Sequence, residues 1–197
     1  MNRNKTLRPL TSLERALLGL VHGGTDTGYA LVKLFETTPM GHYSASPGAI
    51  YPALKRLEAR GLLKGQAQAA NRGRPKRQFE LTPEGHAALL DWMATPVTAE
   101  DVTWHQDDLL LRFSFMGQAG ADDLARRFLA DLADACSVVL SGLRAHHQGM
   151  LDAENDQSPL PTGRLALGCG IEAYRGLRRW ARAALNELNT TEGGNAP

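Results

Sequence analysis

The 197-residue chain is 43% hydrophobic and 22% charged, the composition of one or two small globular domains, with no apolar run of the ~18 residues a membrane span needs. Its net charge of +1 conceals an asymmetry: residues 1–95 carry 13 Lys+Arg against 7 Asp+Glu, whereas residues 96–197 carry 9 against 14, the nine being all Arg. A basic half joined to an acidic half assigns polyanion contact to the first. The N-terminal stretch is polar and basic without an apolar segment behind it, which argues against a secretion signal and for a cytoplasmic protein. Cys136 and Cys169 have no CxxC spacing and are expected to be two buried thiols, not a disulfide.

In chain order, residues 1–9 form a polar arm, and Thr11-Ser12-Leu13-Glu14 has the form of a capping box. Leu13, Ala16, Leu17, Leu20 and Val21 follow at helical spacing and stop at Gly23-Gly24. A short helix is expected from about Thr27 to Thr37, with Leu31, Leu34 and Phe35 inward, followed by a loop over Pro39–Tyr43. Ser46 as N-cap and Pro47 at the first helical position open a third helix, with Ile50, Ala53, Leu54 and Leu57 as its buried stripe and Gly61 as its C-cap. Its other face shows Gly48, Ala49, Tyr51, Lys55 and Arg56; Pro52 breaks the helix rule, a kind of violation expected at functional sites.

Strand-like stretches at Leu62–Gln68 and Lys76–Leu81 flank a polar turn, Ala69 to Pro75. Thr82-Pro83-Glu84 starts a fourth helix carrying Leu89, Leu90, Trp92 and Met93. Residues 96–106 read as a linker. Leu109–Met116 is apolar nearly all round; its alternation also suits a strand, but the preceding Asp107-Asp108 favour a helix start. Two long amphipathic helices are expected after it, about Ala121–Leu151 and Arg164–Leu188, with a disordered tail over 189–197.

Three helices and then a two-stranded hairpin is the order of a winged helix. The third helix is narrow enough for the DNA major groove, and the hairpin reaches the neighbouring backbone or minor groove. Lys64, Arg72, Arg74, Lys76 and Arg77 place five positive charges within fourteen residues and no acid among them. Each cation that meets a phosphate releases counterions. The competing readings are a solvated basic hairpin, a protein-docking module on a winged-helix scaffold, and a ligand carrier without DNA contact.

The segments Leu17-Leu18-Gly19-Leu20, Gly28-Tyr29-Ala30-Leu31, Ser46-Pro47-Gly48-Ala49-Ile50-Tyr51-Pro52-Ala53-Leu54-Lys55-Arg56-Leu57-Glu58 and Gly73-Arg74-Pro75-Lys76-Arg77-Gln78-Phe79-Glu80-Leu81-Thr82-Pro83-Glu84-Gly85 resemble the PadR family of transcriptional regulators. The match spans about residues 10–93, and the remainder resembles, in architecture, the subclass with a helical C-terminal dimerisation domain. Phe79 stands where the family commonly has Tyr, and Ala30 where an acid or polar residue is usual. The resemblance implies a homodimer that binds a palindromic operator on double-stranded DNA, usually as a repressor. It puts Tyr29, Ser46, Gly48, Tyr51 and Lys55 near DNA, with Arg74 and Lys76 on the wing; the basic hairpin adds Arg72 and Arg77.

The expected architecture is therefore mainly α: a winged helix-turn-helix over 10–95, the linker, and a helical dimerisation and effector domain over 107–188. The dimer face is expected at Leu124, Phe128, Leu132, Val139, Leu167, Ile171, Tyr174, Leu177 and Leu185, because such stripes exceed what one small domain covers. Trp92, Trp104, Phe113 and Trp180 are candidates for a pocket holding a small aromatic or hydrophobic effector, against the plainer alternative of core packing. No cofactor or metal is expected: His146 and His147 are adjacent and diverge by about 100° on a helix. Nucleophile elbow, HExxH, phosphate loop and GxGxxG are all lacking from the sequence, so no enzyme is expected.

Overall fold

A computed structural model describes residues 8–37, 47–68, 76–155 and 159–193, which divide into two compact units. One comprises the chain to Thr95 together with Ser114–Gly120, the other Pro96–Phe113 and Ala121 onward. The 107–120 segment, expected to open the second domain, is thus divided between them.

In the first unit, helix α1 (Ser12–His22) begins at the anticipated capping box. The Thr11 hydroxyl accepts from the Glu14 N–H at 3.2 Å, and the Glu14 carboxylate accepts from the Thr11 N–H at 3.0 Å. Helices α2 (Gly28–Thr37) and α3 (Pro47–Ala59) follow, and the apolar stripes meet as their spacing requires: Leu17, Leu31, Ile50, Ala53 and Leu57 have no exposed surface. Gly61, at φ +71°, lets the chain turn out of α3; the Leu62 N–H then donates to the Leu57 carbonyl at 2.9 Å. Strands β1 (Leu63–Gln68) and β2 (Lys76–Leu81) pair antiparallel, Leu63 opposite Leu81 and Gln68 opposite Lys76. Thr82 caps α4 (Pro83–Met93), and Gly85 packs so close that a Cβ there would lie 2.0 Å from the Leu62 carbonyl oxygen.

Glu14 is fully buried, yet charged groups from three places reach it. Arg56 of α3 donates to Oε1 at 2.7 Å, Arg8 at 3.2 Å, and Arg60 lies 3.9 Å from Oε2. Burial alone pushes the carboxyl up. The hydrogen bonds from Arg56 and the Thr11 N–H, with the charges of Arg56 and Arg8, outweigh it and hold Glu14 below its ordinary 4.5.

In the second unit the expected linker carries a helix, α5 (Ala99–Trp104). Thr98 and Asp101 make a second capping box, and Val97 and Val102 are buried; so brief an apolar signal has no visible period in the sequence. The ambiguous apolar segment is helical, α6 (Gln106–Met116), its acids at the N-terminus. Helices α7 (Asp122–Ala153) and α8 (Thr162–Gly193) form an antiparallel hairpin: Arg126 donates to the Leu188 carbonyl near one end, and Arg164 pairs with Glu154 near the other. Helix α8 continues to Gly193, so the described part of the expected tail is helical; residues 194–197 lie outside the described set. Phe113 stacks on Phe128 with ring centres 5.4 Å apart and meets Trp180 edge to face at 5.8 Å.

The two thiols differ, against the expectation that both are buried. Cys136 has no exposed surface, and desolvation raises its pKa to about 11 even though Arg178 pulls it down. Cys169 is exposed, because it lies on the side of α8 away from Ile171 and Ala181.

A carboxyl whose pKa is lower folded than unfolded stabilises the fold fully above the unfolded value and loses that contribution as pH falls through the folded one. Glu14→Gln is expected to lower unfolding free energy at pH 7 by about 2–3 kcal/mol, the modest end for a buried pair because Arg8 and Arg56 stay half-solvated. In urea titrations the gap between parent and variant should narrow as pH drops below 4.5. A gap independent of pH would show that Glu14 contributes by packing and not by charge.

Candidate nucleic-acid interface

Helix α3 separates its residues sharply. Ile50, Ala53, Leu54 and Leu57 face the core, while Gly48, Tyr51, Pro52 and Lys55, at i, i+3, i+4 and i+7, are exposed on one side. Pro52 lacks the N–H that would close the helical bond to the Gly48 carbonyl, so this exposed face carries the break in the ladder. Tyr51 is 47% exposed, and its ring lies against Gly28 at the start of α2, where an added Cβ would come within 2.6 Å of Cε1. Tyr29, the next residue, is 67% exposed. The structure thus brings Tyr29 and Tyr51 to the junction of α2 with α3, and Lys55 one turn along.

Two anchors hold the base of the hairpin to this junction. On one side, Thr27 forms a bridge with Gln78, the Phe79 N–H donates to the Asp26 carbonyl at 2.7 Å, and the Gln78 carboxamide donates to the Asp26 carboxylate. On the other, one oxygen of Glu58 accepts from the Gly65 N–H at 3.0 Å and from Arg77 at 2.7 Å. Glu58 belongs to α3, so the exposed helix face and the strands are fastened together by a single carboxylate.

The basic hairpin is therefore not uniform. Arg77 is committed to Glu58, with its guanidinium 5.8 Å above the Phe79 ring, and Lys64 pairs with Glu80 at 3.4 Å. Ser46, Arg72 and Arg74 lie outside the described residues; Lys76 opens β2, and its side chain is likewise outside them. Arg56, read from the sequence as outward-facing, turns to Glu14. Sequence reasoning missed the inter-element roles of two carboxylates, Glu14 and Glu58. Glu14 was legible as a capping residue, but its partner stands 42 positions away, and nothing in local spacing marks Glu58 as different from a solvated helix acid.

Among the other candidates, Phe113 and Trp180 are in ring contact, Trp104 is 75% exposed, and Trp92 lies 6.3 Å from Phe115 within the first unit, under Arg15. Of the apolar stripes, Phe128, Leu132 and Ile171 are covered within the single chain, while Leu124, Val139, Leu167, Tyr174, Leu177 and Leu185 keep part of their surface in solvent.

Replacing Glu58 by Gln leaves a weaker acceptor for Gly65 and removes the charge facing Arg77. Amide exchange at Gly65 is expected to speed up by about fivefold or more, with little change at the α1 amides. Unchanged exchange at Gly65 would show that the strands hold their position without α3.

Residues 17–91 match the family model described as the Transcriptional regulator PadR-like family. The transcriptional regulator Rv3488 of Mycobacterium tuberculosis is 36% identical over 74 residues, 38% of this chain and 68% of that protein. The negative transcriptional regulator PadR of Bacillus subtilis is 23% identical over 146 residues, 74% of this chain and 79% of its own. The crystal structure of Bacillus subtilis PadR in complex with operator DNA aligns with 90% of this chain and 99% of its own, at 23% identity and a TM-score of 0.41. That of the PadR-like transcriptional regulator BC1756 from Bacillus cereus aligns with 92% and 98%, at 22% identity and a TM-score of 0.39. With its winged helix, its exposed α3 face and more than two thirds of the mycobacterial regulator matched at this identity, the chain belongs to the PadR-like family of transcriptional regulators.

Proposed function

We propose that this regulator is a sequence-specific repressor that binds a palindromic operator as a homodimer. The observation that carries the reading is the exposed Gly48–Tyr51–Pro52–Lys55 face of α3, framed by Tyr29 and backed by a fully buried stripe. Gly48 presents no side chain, so a phosphate or base edge can approach the helix start closely. Tyr51 then reaches a base edge, and Lys55 meets a phosphate. Arg72, Arg74 and Lys76 supply further phosphate contacts from the wing, with Ser46 at the entry to α3. Arg77 acts at the base of the wing through Glu58.

The direction of regulation is carried over from the Bacillus subtilis relative, which is a negative regulator. Dimerisation rests on the apolar surface that the second unit leaves open, including Val138 at 64% and Leu165 at 60% exposure beside the half-covered stripe residues. Two copies related by a twofold axis would set their α3 helices about 34–36 Å apart, one turn of DNA. A structure of the Bacillus subtilis protein contains p-coumaric acid. For this chain the reading places a small aromatic effector on the second unit, where Trp180, 40% exposed, borders Phe113. Among the described residues no helix is long and apolar enough to cross a membrane; the proposed site of action is the cytoplasm, where the DNA is.

The test is fluorescence anisotropy against the protein's own upstream region and a scrambled duplex at two salt concentrations. Saturable preference for a palindrome is expected, whereas equal affinity for both duplexes would remove specific recognition from the reading. Tyr51→Ala should weaken operator binding by about 1–3 kcal/mol with little effect on the scrambled duplex. Lys55→Ala should weaken both and reduce the salt slope by about one. Parent-like binding by both variants would move the interface off α3.

A further inference from the structure

The acidic second unit contains one concentrated positive feature. Arg175, Arg178, Arg179 and Arg182 of α8 stand at i, i+3, i+4 and i+7, within an arc of about 100° and over about 10 Å of helix. Among the described residues, these four line an open groove of about 320 Å³ on the helix surface. Like charges at these spacings repel and destabilise a helix, so helix stability does not explain the stripe.

Neutralisation from within the chain is slight. Arg175 pairs with Glu172, and Arg178 donates to the Ser137 hydroxyl of α7 at 3.4 Å; among the described residues, Arg178, Arg179 and Arg182 form no ion pair. The Ser137 contact holds Arg178 at the seam between α7 and α8, so the site has one fixed wall, while Arg179 and Arg182 stay open to solvent. The nine Lys+Arg positions from 96 onward are all Arg. Guanidinium offers paired N–H donors in a rigid fork that matches the oxygens of a phosphate or carboxylate, which an ammonium does not.

We propose that Arg175, Arg178, Arg179 and Arg182 form a binding site for a small molecule carrying a diphosphate group. Four forks spread along two turns of helix offer more donors than one carboxylate or one tetrahedral anion can accept. Two linked phosphates offer more acceptor oxygens than one, on which guanidinium groups from two successive turns can converge, and their charge offsets the repulsion within the stripe. The site lies wholly within the second unit and does not depend on the DNA-binding reading.

The experiment is calorimetric titration of the full chain with inorganic pyrophosphate at constant ionic strength, with citrate in a parallel arm. Saturable binding of pyrophosphate, tighter than citrate, is expected. The double variant Arg179→Gln/Arg182→Gln, at two exposed positions, should keep or slightly raise the parent's thermal midpoint, since it relieves repulsion, and bind pyrophosphate about tenfold or more weakly. Arg127→Gln, exposed on α7, should bind as the parent does. The proposal is overturned by lack of saturation, by equal affinity in the double variant, or by loss of binding in Arg72→Gln/Arg74→Gln instead. Citrate bound as tightly as pyrophosphate would also overturn it. So would a double variant whose main change, by light scattering, is its monomer–dimer equilibrium, since the arginines would then be interface groups.

Discussion

The first unit is organised around one buried carboxylate. Glu14 closes the first turn of α1 through Thr11 and, from the same group, draws Arg56 of α3 and Arg8 of the preceding segment onto that turn. A carboxylate with no exposed surface is tolerated only because each lone-pair direction meets a donor, two of them charged. The consequence for function is indirect but definite. The apolar stripe of α3 fixes which face is buried, and the Glu14–Arg56 bond ties that helix to the first turn of α1.

A second carboxylate repeats the device at shorter range. Glu58 joins the end of α3 to β1 through Gly65 and to β2 through Arg77. The α1–α2 loop holds β2 from the opposite side through Asp26, Thr27 and Gln78. The exposed face of α3 and the base of the hairpin are thus fastened to each other. Part of the positive charge that the sequence concentrates here is consumed in that fastening. Arg77 is paired with Glu58 and stabilises the platform more than it extends it, while Lys64 makes only a solvent-exposed pair with Glu80.

In the second unit the same kind of stripe serves a different first purpose. Phe128, stacked on Phe113 of α6, and Leu132, Cys136 and Ile171 of the α7–α8 hairpin are buried within the single chain. What remains for association is the margin of the stripes with exposed Val138 and Leu165, and on α8 also the arginine row. In the proposed readings the apolar margin meets a second copy and the guanidinium row an anion.

Much of this was legible in the chain itself. Local chemistry marked the capping box at Thr11–Glu14, Gly61 at the end of α3, the two strands and the long helices, because caps, turns and period act over a few residues. The buried and exposed faces of α3 followed from spacing alone. The short α5 escaped, since Val97 and Val102 are too few to show a period. The roles of Glu14, Glu58 and Arg77 escaped because an acid that caps, an acid in solvent and an acid that clamps two elements look alike in sequence. Only the tertiary structure, by bringing side chains 42 and 19 positions apart within 2.7 Å, decided which charges are engaged within the fold.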